Sequence, residues 1–322
     1  MMCKLFRKLF KTEGNRFPAY LEPWRETILK NHIPLGSISV QDNGISIPEF
    51  GLELKSKAAI SIILEGYNWI HQLVLNGVKI QLSANDEFIA TVNACRFNVG
   101  TSEEFYVLYE VFMTKDYDLD LAGPALILDV GANVGYSSIY LANKLDDVII
   151  HGFEPAPETY KRAQCNLALN QHVEAKIHLH NFGLYHEDGK HTFLLNHSRR
   201  GRSSMVLTER DHADDCEEIT IEVRQASTAI QEVISAHPER TVIMKLDTEG
   251  SEYAILEELS NSATWDRIAC IMMEWHVVDK DQHPKQIAQT LLDSGFILLK
   301  SEWTDDQTSG MIYGIKPNKN AR

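Results

Sequence analysis

Residues 125–141 read ALILDVGANVGYSSIYL, and this stretch decides the fold. Its beginning, ALILDV, is a continuous apolar run with an acid near its end, as expected of a strand buried on both faces of a parallel sheet. Gly131 and Gly135 then bracket a turn, and a helical pattern follows from Tyr136 onward. A strand, a glycine-containing turn and a helix in this order predict the opening unit of an α/β domain.

The alternation of strands and helices continues after this unit to the end of the chain. We predict further strands at residues 148–153, 175–180, 242–246, 268–273, 296–303 and 311–315, and helices at residues 157–170, 226–235, 252–259 and 285–292. The last two strands are joined by a short polar loop, which suits an antiparallel pair. Strand-like stretches at residues 191–196 and 219–223 bracket a basic segment and predict a ribbon inserted at about residues 187–224. Alternation of this kind predicts a mostly parallel sheet.

The first 120 residues have a mixed pattern and no evident cluster of catalytic side chains. We predict a helix at residues 22–33, a hairpin at 38–54 with Asn43-Gly44 at its turn, a helix at 58–75, strands at 78–82 and 88–92, and a helix at 101–112. Thr101 or Ser102 is the expected N-cap of the last helix. We therefore expect an α+β lead-in domain at residues 1–120, followed by the α/β domain at residues 121–322.

Composition and charge exclude several classes of protein. The 322 residues include 45 acidic and 31 basic side chains, for a net charge of -14, so the overall field disfavours nucleic-acid binding. The 5 cysteines form no CxxC pair, which indicates a reducing compartment, and we predict a cytoplasmic location.

No apolar run approaches the ~18 residues of a membrane span. The basic, amphipathic residues 1–13 predict either a weak membrane-surface contact or a terminal helix.

The carboxyl ends of the first two strands of the α/β domain carry the best candidate ligand site. Gly131 and Gly135 allow close approach of the backbone, and their N–H groups, at the start of a helix, favour a carboxylate or a phosphate. Glu154 follows Gly135 by 19 positions, at the end of the next strand, where a carboxylate can accept two hydrogen bonds from a ribose. Asp129 precedes the loop, where it repels a diphosphate but can pair with an amine.

Two cofactor classes use a glycine loop with a spaced acid. Nicotinamide and flavin enzymes need a GxGxxG turn around a pyrophosphate, whereas this loop has Gly131-x-x-x-Gly135. S-adenosylmethionine has an amino group, a carboxylate and a ribose but no phosphate, and it matches better. We therefore expect Asp129 and the loop to take its amino-acid part and Glu154 its ribose. A glycine-rich turn without a ligand is the alternative.

Three motifs occur in a fixed order: DVGANVGYSSIYLA from residue 129, FEP from residue 153 and KLDTEGSE from residue 245. In combination they resemble the FkbM family of S-adenosylmethionine-dependent methyltransferases, over about residues 105–315. The resemblance implies a class I methyltransferase fold, with a Rossmann-like, seven-stranded, mostly parallel sheet whose last strand is antiparallel. It also implies O-methylation of a small-molecule or glycan acceptor, often at a sugar hydroxyl in a glycan, glycolipid or natural product.

The resemblance assigns site residues by motif position. It implies a cofactor loop of Asp129, Gly131, Asn133 and Gly135, a ribose acid at Glu154, an adenine contact at Asn181 and Phe182, and a fourth-strand signature of Lys245, Asp247, Glu249 and Glu252. Lys245 is expected on a buried strand, where an unpaired ammonium is costly, so it needs an acidic partner such as Asp247 or Glu249. Its role is therefore either catalytic or structural.

Methyl transfer to oxygen needs a base that removes the hydroxyl proton as the new bond forms. Asp247 ends the fourth strand and His276 follows the fifth, so both should open onto the same crevice. We predict His276 as the base, because an ordinary histidine has a pKa of about 6.5, and we place Asp247 and Lys245 beside it in the catalytic group. A loop histidine bonded to backbone is the alternative. A divalent cation on Asp247, Glu274 and His276 is possible but is not predicted, because acids in a DxEG turn also cap helices.

The inserted ribbon and its flanks are rich in histidine and arginine. Arg199, Arg200 and Arg202 either grip an anionic acceptor or belong to a solvated loop. His178 and His180 share a strand face, but no spacing completes a zinc set, so exposed or adenine-lining histidines are expected.

Two other functions stay open at this point: a nicotinamide-dependent oxidoreductase, and a non-catalytic cofactor-binding module.

Overall fold

The computed structural model describes residues 17–83, 87–121, 123–196, 203, 205, 216–300, 303–304 and 307–317. The predicted membrane-surface segment at residues 1–13 lies outside these ranges, as do Arg199, Arg200 and Arg202. None of the helices in these ranges has the length and the apolar composition of a membrane span.

The part of the chain before residue 121 contains short helices and small antiparallel sheets. Its strands are β1 (Ser39–Gln41), β2 (Gly44–Ile47), β3 (Leu52–Leu54), β4 (Lys79–Leu82), β5 (Phe88–Val92) and β6 (Cys95–Val99), in the orders β1-β2-β3 and β4-β5-β6. Its α-helices are α1 (Arg25–Lys30), α2 (Lys57–Glu65), α3 (Tyr67–Leu75) and α4 (Ser102–Tyr109), with 3-10 turns at Ala19–Trp24, Leu35–Ser37 and Pro48–Phe50 and a π-helical turn at Glu110–Thr114. The predicted hairpin is confirmed, because β1 pairs with β2, but its turn is Asp42-Asn43 and Gly44 already belongs to β2. The predicted cap is confirmed too, because the Thr101 hydroxyl accepts a hydrogen bond from the backbone of Glu104 at 3.1 Å.

Two sequence-based expectations for this part are wrong. The single helix expected at residues 58–75 is two helices, because Gly66 ends α2 and begins α3. A Cβ atom at position 66 would lie 3.2 Å from atoms of Ile62 and Ile70, so a glycine fits this junction. The strand β6 is not predicted by the pattern. It follows a turn at Asn93 and Ala94, both in the left-handed region with φ of 53° and 64°, as a two-residue hairpin turn requires.

From residue 125 onward, strands and helices alternate as predicted. The strands are β7 (Ala125–Val130), β8 (Val148–Phe153), β9 (Ile177–His180), β10 (Gly183–Tyr185), β11 (Gly189–Asn196), β12 (Cys216–Gln225), β13 (Thr241–Leu246), β14 (Ile268–His276), β15 (Ile297–Lys300) and β16 (Ser309–Ile315). The α-helices are α5 (Tyr136–Lys144), α6 (Pro157–Ala168), α7 (Gln171–Glu174), α8 (Ala226–Ala236), α9 (Glu252–Ser260) and α10 (Pro284–Asp293), with a 3-10 turn at Ala263–Arg267. The strands predicted for the main sheet agree with these bounds to within a few residues.

A seven-stranded sheet forms the centre of this part, in the order β15-β16-β14-β13-β7-β8-β9. β16 is antiparallel to both of its neighbours, and the remaining pairs are parallel. The predicted α/β fold, with a mostly parallel sheet of seven strands whose last strand is antiparallel, is therefore confirmed. The strand order reverses between β7 and β13, and ligands of such sheets bind at the carboxyl ends of the strands at this point.

The inserted ribbon is a separate three-stranded sheet in the order β10-β12-β11. β11 and β12 form the antiparallel pair that the pattern predicts, whereas the short strand β10, parallel to β12, is not predicted. Apolar side chains of the ribbon, among them Phe193, Leu195 and Ile221, pack into a small core of their own. The ribbon strands therefore form a packed unit beside the main sheet.

Two asparagines, one in α6 and one just before α7, hold the edge strand β6 of the lead-in part. The amide oxygens of Asn166 and Asn170 accept hydrogen bonds from the backbone N–H groups of Asn98 at 2.7 Å and Arg96 at 2.8 Å. Nδ2 of Asn170 donates in return to the carbonyl oxygen of Arg96 at 2.7 Å, so the asparagines take the place of a neighbouring strand. Buried side chains from both sides of residue 120 also share one hydrophobic core. The division into two domains at this residue therefore remains a prediction.

Candidate active site

The loop between β7 and α5 is pressed against the end of β13. Gly131 has a φ of +80°, and a Cβ atom there would lie 1.7 Å from the carbonyl oxygen of Asp247. Gly135 has a φ of +83° at the start of α5, where an added Cβ would touch Ala163 at 3.4 Å. The first position requires glycine for its close contact and its conformation, and the second mainly for its conformation.

Glu154 links this loop to the segment that follows β8. Its Oε2 accepts a hydrogen bond from the N–H of Asn133 at 3.1 Å, and its Oε1 accepts one from the N–H of Ala156 at 2.9 Å. Burial raises the pKa of the Glu154 carboxyl to about 7, although the two N–H donors act in the opposite direction. Each oxygen keeps a second lone pair, so the carboxylate can still accept hydroxyl donors from a ligand.

Asp129 and Lys245 support the loop from beneath. Nζ of Lys245 donates to the carbonyl oxygen of Gly131 at 2.6 Å and lies 3.2 Å from Oδ1 of Asp129. The hydroxyls of Ser137 and Ser138 donate to Oδ2 of Asp129 at 2.7 and 2.6 Å. Burial disfavours the charged lysine, but its acidic neighbours outweigh this effect and raise its pKa. Asp129 has no exposed surface, so the structure places it under the loop and not on the wall of a cleft.

Asn181 and Phe182 follow β9, beside Glu154. The side-chain amide of Asn181 donates to the carbonyl oxygens of Glu154 at 3.0 Å and Pro155 at 3.1 Å. The ring of Phe182 packs against Phe153, with centroids 5.6 Å apart. Both side chains thus have partners within the protein, and neither is among the described residues that line the cleft. Their adenine contact stays a prediction.

A cleft of about 1950 Å³ opens over the carboxyl ends of β7 and β13. Its described walls combine the glycine loop, Glu154, the ends of β13 and β14, the ribbon, and the helices α3 and α4. Pockets for one small ligand usually measure roughly 300–1,000 Å³. The cleft therefore has room for two ligands side by side. The predicted catalytic group of Lys245, Asp247 and His276 lines this same cleft.

His276 ends β14 among carboxylates. Nδ1 of its ring lies 3.2 Å from Oε1 of Glu252, while Nε2 lies 3.5 Å from Glu249 and 3.6 Å from Glu274. Glu252 has no exposed surface and also accepts backbone hydrogen bonds within the loop that follows β13. The imidazole is therefore held at Nδ1, and Nε2 faces Glu249 and Glu274, which line the cleft.

The carboxylates around His276 change the protonation of the whole group. Burial opposes the charged imidazole, but Glu249, Glu252 and Glu274 outweigh this effect and hold the pKa of His276 well above its usual value. Burial also raises the pKa of Glu274 to about 7 and that of Glu249 well above its usual value, while the imidazole acts in the opposite direction. Such a group shares protons near neutral pH, which suits acid–base chemistry.

Asp247 is held by a residue of the lead-in part. The hydroxyl of Tyr117 donates to Oδ2 of Asp247 at 3.1 Å, and Nζ of Lys245 lies 3.5 Å from the same atom. Tyr117 is not predicted from the sequence, because it is 130 positions away from Asp247 and no motif links the two residues. Ligand atoms of Asp247, Glu249 and His276 lie within 4.8 Å of one another, so this group is also able to hold a divalent cation.

The loop side of the cleft suits a ligand that carries an amine and hydroxyl groups. Oδ1 of Asn133 is buried and has no hydrogen-bond partner among the described residues. An unpaired buried acceptor is costly, which indicates that a ligand supplies the donor. Together with the remaining lone pairs of Glu154, this oxygen fits the amine and the ribose hydroxyls of S-adenosylmethionine.

The chain matches the sequence model of the methyltransferase FkbM domain over residues 129–298, which is just over half of its length. It is 26% identical to Methyltransferase 1 of Beauveria bassiana over 211 residues, which cover 61% of this chain and 80% of that protein. It is also 26% identical to Methyltransferase sdnD of Sordaria araneosa over 249 residues, which cover 69% of this chain and 94% of that protein.

Among solved structures, the chain is similar to the methyltransferase FkbM of Methylobacillus flagellatus. The sequence identity is 15% and the TM-score is 0.43. The match covers 95% of this chain and 64% of that chain, so this chain spans less than two thirds of the length of that protein.

Proposed function

This chain belongs to the FkbM family of S-adenosylmethionine-dependent methyltransferases, and on that basis we propose that its acceptor is a hydroxyl group of a sugar. The family match and the similar methyltransferases support methyl transfer as the activity and S-adenosylmethionine as the methyl donor. A nicotinamide-dependent oxidoreductase and a non-catalytic binding module are not favoured, because the chain matches a methyltransferase family and has no pyrophosphate turn. The acceptor and the roles of individual residues are our proposal.

The glycine loop and Glu154 hold the cofactor in this proposal. When bound, S-adenosylmethionine supplies a methyl group on a positively charged sulfur. Oδ1 of Asn133 and the carboxylate of Glu154 are acceptors for its amine and its ribose hydroxyls. Lys245 bonds to the carbonyl oxygen of Gly131, so its role is to keep the loop in shape.

The observation that carries the mechanism is the position of His276 between a buried acid and the cleft. Oε1 of Glu252 accepts a hydrogen bond from Nδ1–H at 3.2 Å in this proposal, which leaves Nε2 as the basic nitrogen. An acceptor hydroxyl placed against Nε2 gives up its proton to the imidazole as its oxygen becomes nucleophilic. The negative charges of Glu249 and Glu274 then stabilise the imidazolium that forms.

Asp247 orients the acceptor beside this base. Tyr117 and Lys245 both engage Oδ2, so Oδ1 can accept a hydrogen bond from the ligand. Ligand atoms of Asp247 and His276 lie within 4.8 Å of each other, close enough for two neighbouring hydroxyls of one ring to engage both residues. Neighbouring hydroxyls are a general feature of sugars, and this spacing supports a sugar as the acceptor.

Transfer of radioactive methyl groups from S-adenosylmethionine to p-nitrophenyl glycosides tests this proposal. The purified chain is incubated with glycosides of several hexoses and, in parallel, with simple phenols and primary amines as competing acceptors. We expect label in the glycosides, recovered as a methyl ether, and a strongly reduced rate for His276→Ala. Label found only in phenols or amines would contradict the sugar assignment.

A further inference from the structure

Four histidines from three elements meet on one face of the main sheet. His178 and His180 alternate along β9, and His151 lies opposite His178 in the neighbouring strand β8, so these side chains point to the same face. His237 directly follows α8. We call these four residues the histidine cluster, and none of them is among the described residues that line the cleft. The fold therefore brings together histidines whose spacing in the sequence does not link them.

The rings of the histidine cluster lie close to one another. The ring centroid of His151 is 4.8 Å from that of His178 and 5.1 Å from that of His180. The centroid of the His237 ring is 5.7 Å from that of His151. Imidazoles that share one metal ion have centroids about 5 Å apart, because each ligating nitrogen lies ~2.0–2.1 Å from the ion. The spacing in the cluster is therefore close to that of a coordinated set.

The two ring nitrogens of His151 have different surroundings. Nδ1 lies 2.9 Å from Nε2 of His180, which is a hydrogen bond between two imidazoles. Nε2 of His151 is buried and has no hydrogen-bond partner among the described residues. With the proton on Nδ1, this nitrogen carries an unused lone pair. Histidines that bind metals typically have this arrangement, in which the second ring nitrogen donates to a partner beyond the ligands.

The histidine cluster is open to solvent on one side. His178 is exposed, and His237 is half-buried at the end of α8. Exposed side chains change rotamer readily, so the imidazole of His178 can turn its nitrogen toward an ion that is bound to His151. An ion therefore has a path to the buried nitrogen and a second ligand on that path.

Two arginines lie near the histidine cluster, and each is paired with an acid. Arg240 belongs to the turn that follows the last histidine, and its guanidinium lies 2.8 Å from Asp147. The guanidinium of Arg224 lies over the ring of Phe182, which packs beside the cluster, and is 2.7 Å from Glu232. These carboxylates offset the positive charges, so the arginines oppose a cation only weakly.

From these observations we infer that the histidine cluster binds one transition-metal ion that prefers imidazole ligands, such as Zn²⁺. His151, through Nε2, binds the ion together with His178 and His237, and water completes the coordination. His180 accepts the Nδ1 proton of His151 and so keeps Nε2 as the ligand. Because β9 is an edge strand of the main sheet, the ion ties this edge to β8 and to the end of α8. The site depends neither on the acceptor nor on the base for methyl transfer.

Calorimetric titration of ZnCl₂ into the metal-free full chain tests this inference. We expect one tightly bound zinc ion per wild-type chain, and binding roughly ten-fold weaker or worse in His178→Ala and in His180→Ala. His172→Ala is the matched control, because it removes an exposed histidine of α7 that lies outside the cluster, and it should bind zinc like the wild type. A wild type that binds no zinc, or unchanged binding in His178→Ala, would overturn the inference.

The group of Asp247, Glu249 and His276 in the cleft is a competing zinc site, and His276→Ala separates the two. If the histidine cluster holds the ion, His276→Ala keeps the tight binding that His178→Ala loses. The opposite result, with tight binding lost in His276→Ala and kept in His178→Ala, would place the ion in the cleft and overturn the inference.

Two further measurements guard against a variant that fails to fold. Circular dichroism shows whether His178→Ala keeps its secondary structure, and His178→Gln, which should show the same loss of zinc binding, replaces it if it does not. Zinc should also raise the unfolding temperature of the wild type more than that of the variant, because an ion that binds only the folded chain stabilises it. X-ray absorption of the zinc-loaded wild type should show imidazole nitrogens at ~2.0–2.1 Å from the ion. An ion coordinated without imidazole would contradict the site.

Discussion

Nδ1 of His276 lies 3.2 Å from Oε1 of Glu252, a carboxylate with no exposed surface. Glu252 is held in turn by the backbone N–H groups of Thr248 at 2.8 Å and Gly250 at 2.9 Å. The loop after β13 therefore orients the imidazole at the end of β14 through a buried acid. A carboxylate beside Nδ1 favours the tautomer that carries its proton on this nitrogen, with Nε2 toward Glu249 and Glu274.

Glu252→Gln is expected to lower kcat by roughly ten-fold or more, with a smaller effect on the KM of the acceptor. The amide keeps the shape of the side chain, but it lacks the charge that stabilises the imidazolium. It can also present an N–H to Nδ1, which favours the wrong tautomer. Steady-state kinetics measure the effect, and the affinity for S-adenosylhomocysteine serves as the control for folding. A wild-type kcat with an unchanged pH profile would show that Glu252 has only a structural role.

The rate of methyl transfer should fall as the pH drops through the raised pKa of His276. Only the neutral imidazole can accept a proton, and the surrounding carboxylates hold its pKa above the usual value, so activity is favoured at alkaline pH. Glu249→Gln removes one of these charges. Loss of this charge lowers the pKa of His276, and the acidic midpoint of the kcat profile therefore moves to lower pH.

The pH profile of kcat for Glu249→Gln and the wild type measures this shift. Glu257→Gln is the matched control, because Glu257 is an exposed acid on α9. Its midpoint should equal that of the wild type. An unchanged or higher midpoint in Glu249→Gln would contradict the assignment of the titrating group.

Glu154→Ala is expected to weaken cofactor binding by roughly 1–3 kcal/mol, as for the loss of a charged hydrogen bond. The carboxylate also accepts the N–H of Asn133, so its removal loosens the loop that carries the unpaired Oδ1. Titration with S-adenosylhomocysteine measures the loss. Glu158→Ala, at an exposed acid in the first turn of α6, should bind like the wild type. Equal affinity in Glu154→Ala would remove this residue from the cofactor site.

Chelation of divalent cations should leave turnover unchanged. Asp247, Glu249 and His276 are able to hold an ion, but Tyr117 already donates to Asp247, and the Lys245 ammonium lies 3.5 Å from that carboxylate. A second positive charge beside this ammonium would be repelled. Rates with EDTA, and with magnesium or zinc added back, decide the point. Activity that is lost with EDTA and restored by magnesium would make these side chains ligands of a catalytic ion.

The main sheet was predictable from sequence because burial on both faces makes its central strands continuous apolar runs. The bounds of β7 and β8 agree with the prediction at both ends. Gly66 shows where the local pattern fails. Apolar spacing continues through α2 and α3, so the pattern predicts one helix, whereas the structure divides it at Gly66, where an added Cβ would lie 3.2 Å from atoms of Ile62 and Ile70.

The site was predictable where topology alone brings residues together. Gly131 and Asp247 directly follow parallel strands and His276 ends one, so their meeting at one edge of the sheet follows from the fold. The lining residues of the lead-in part, such as Trp69, Tyr106 and Tyr117, were not predictable, because no motif connects them to the strand ends. Its residue type led us to expect Asp129 beside an amine, whereas the structure buries it beneath the loop, where Ser137 and Ser138 donate to it. Its contact with the cofactor stays a prediction.

The turnover of His276→Ala on a sugar acceptor is the most direct test of the central claim, which is that His276 is the base for methyl transfer from S-adenosylmethionine. We predict that kcat falls roughly 100-fold or more, as for the loss of a general base. The affinity for S-adenosylhomocysteine should stay at the wild-type value, because the imidazole contacts the acceptor and not the cofactor. A kcat equal to that of the wild type would contradict the account.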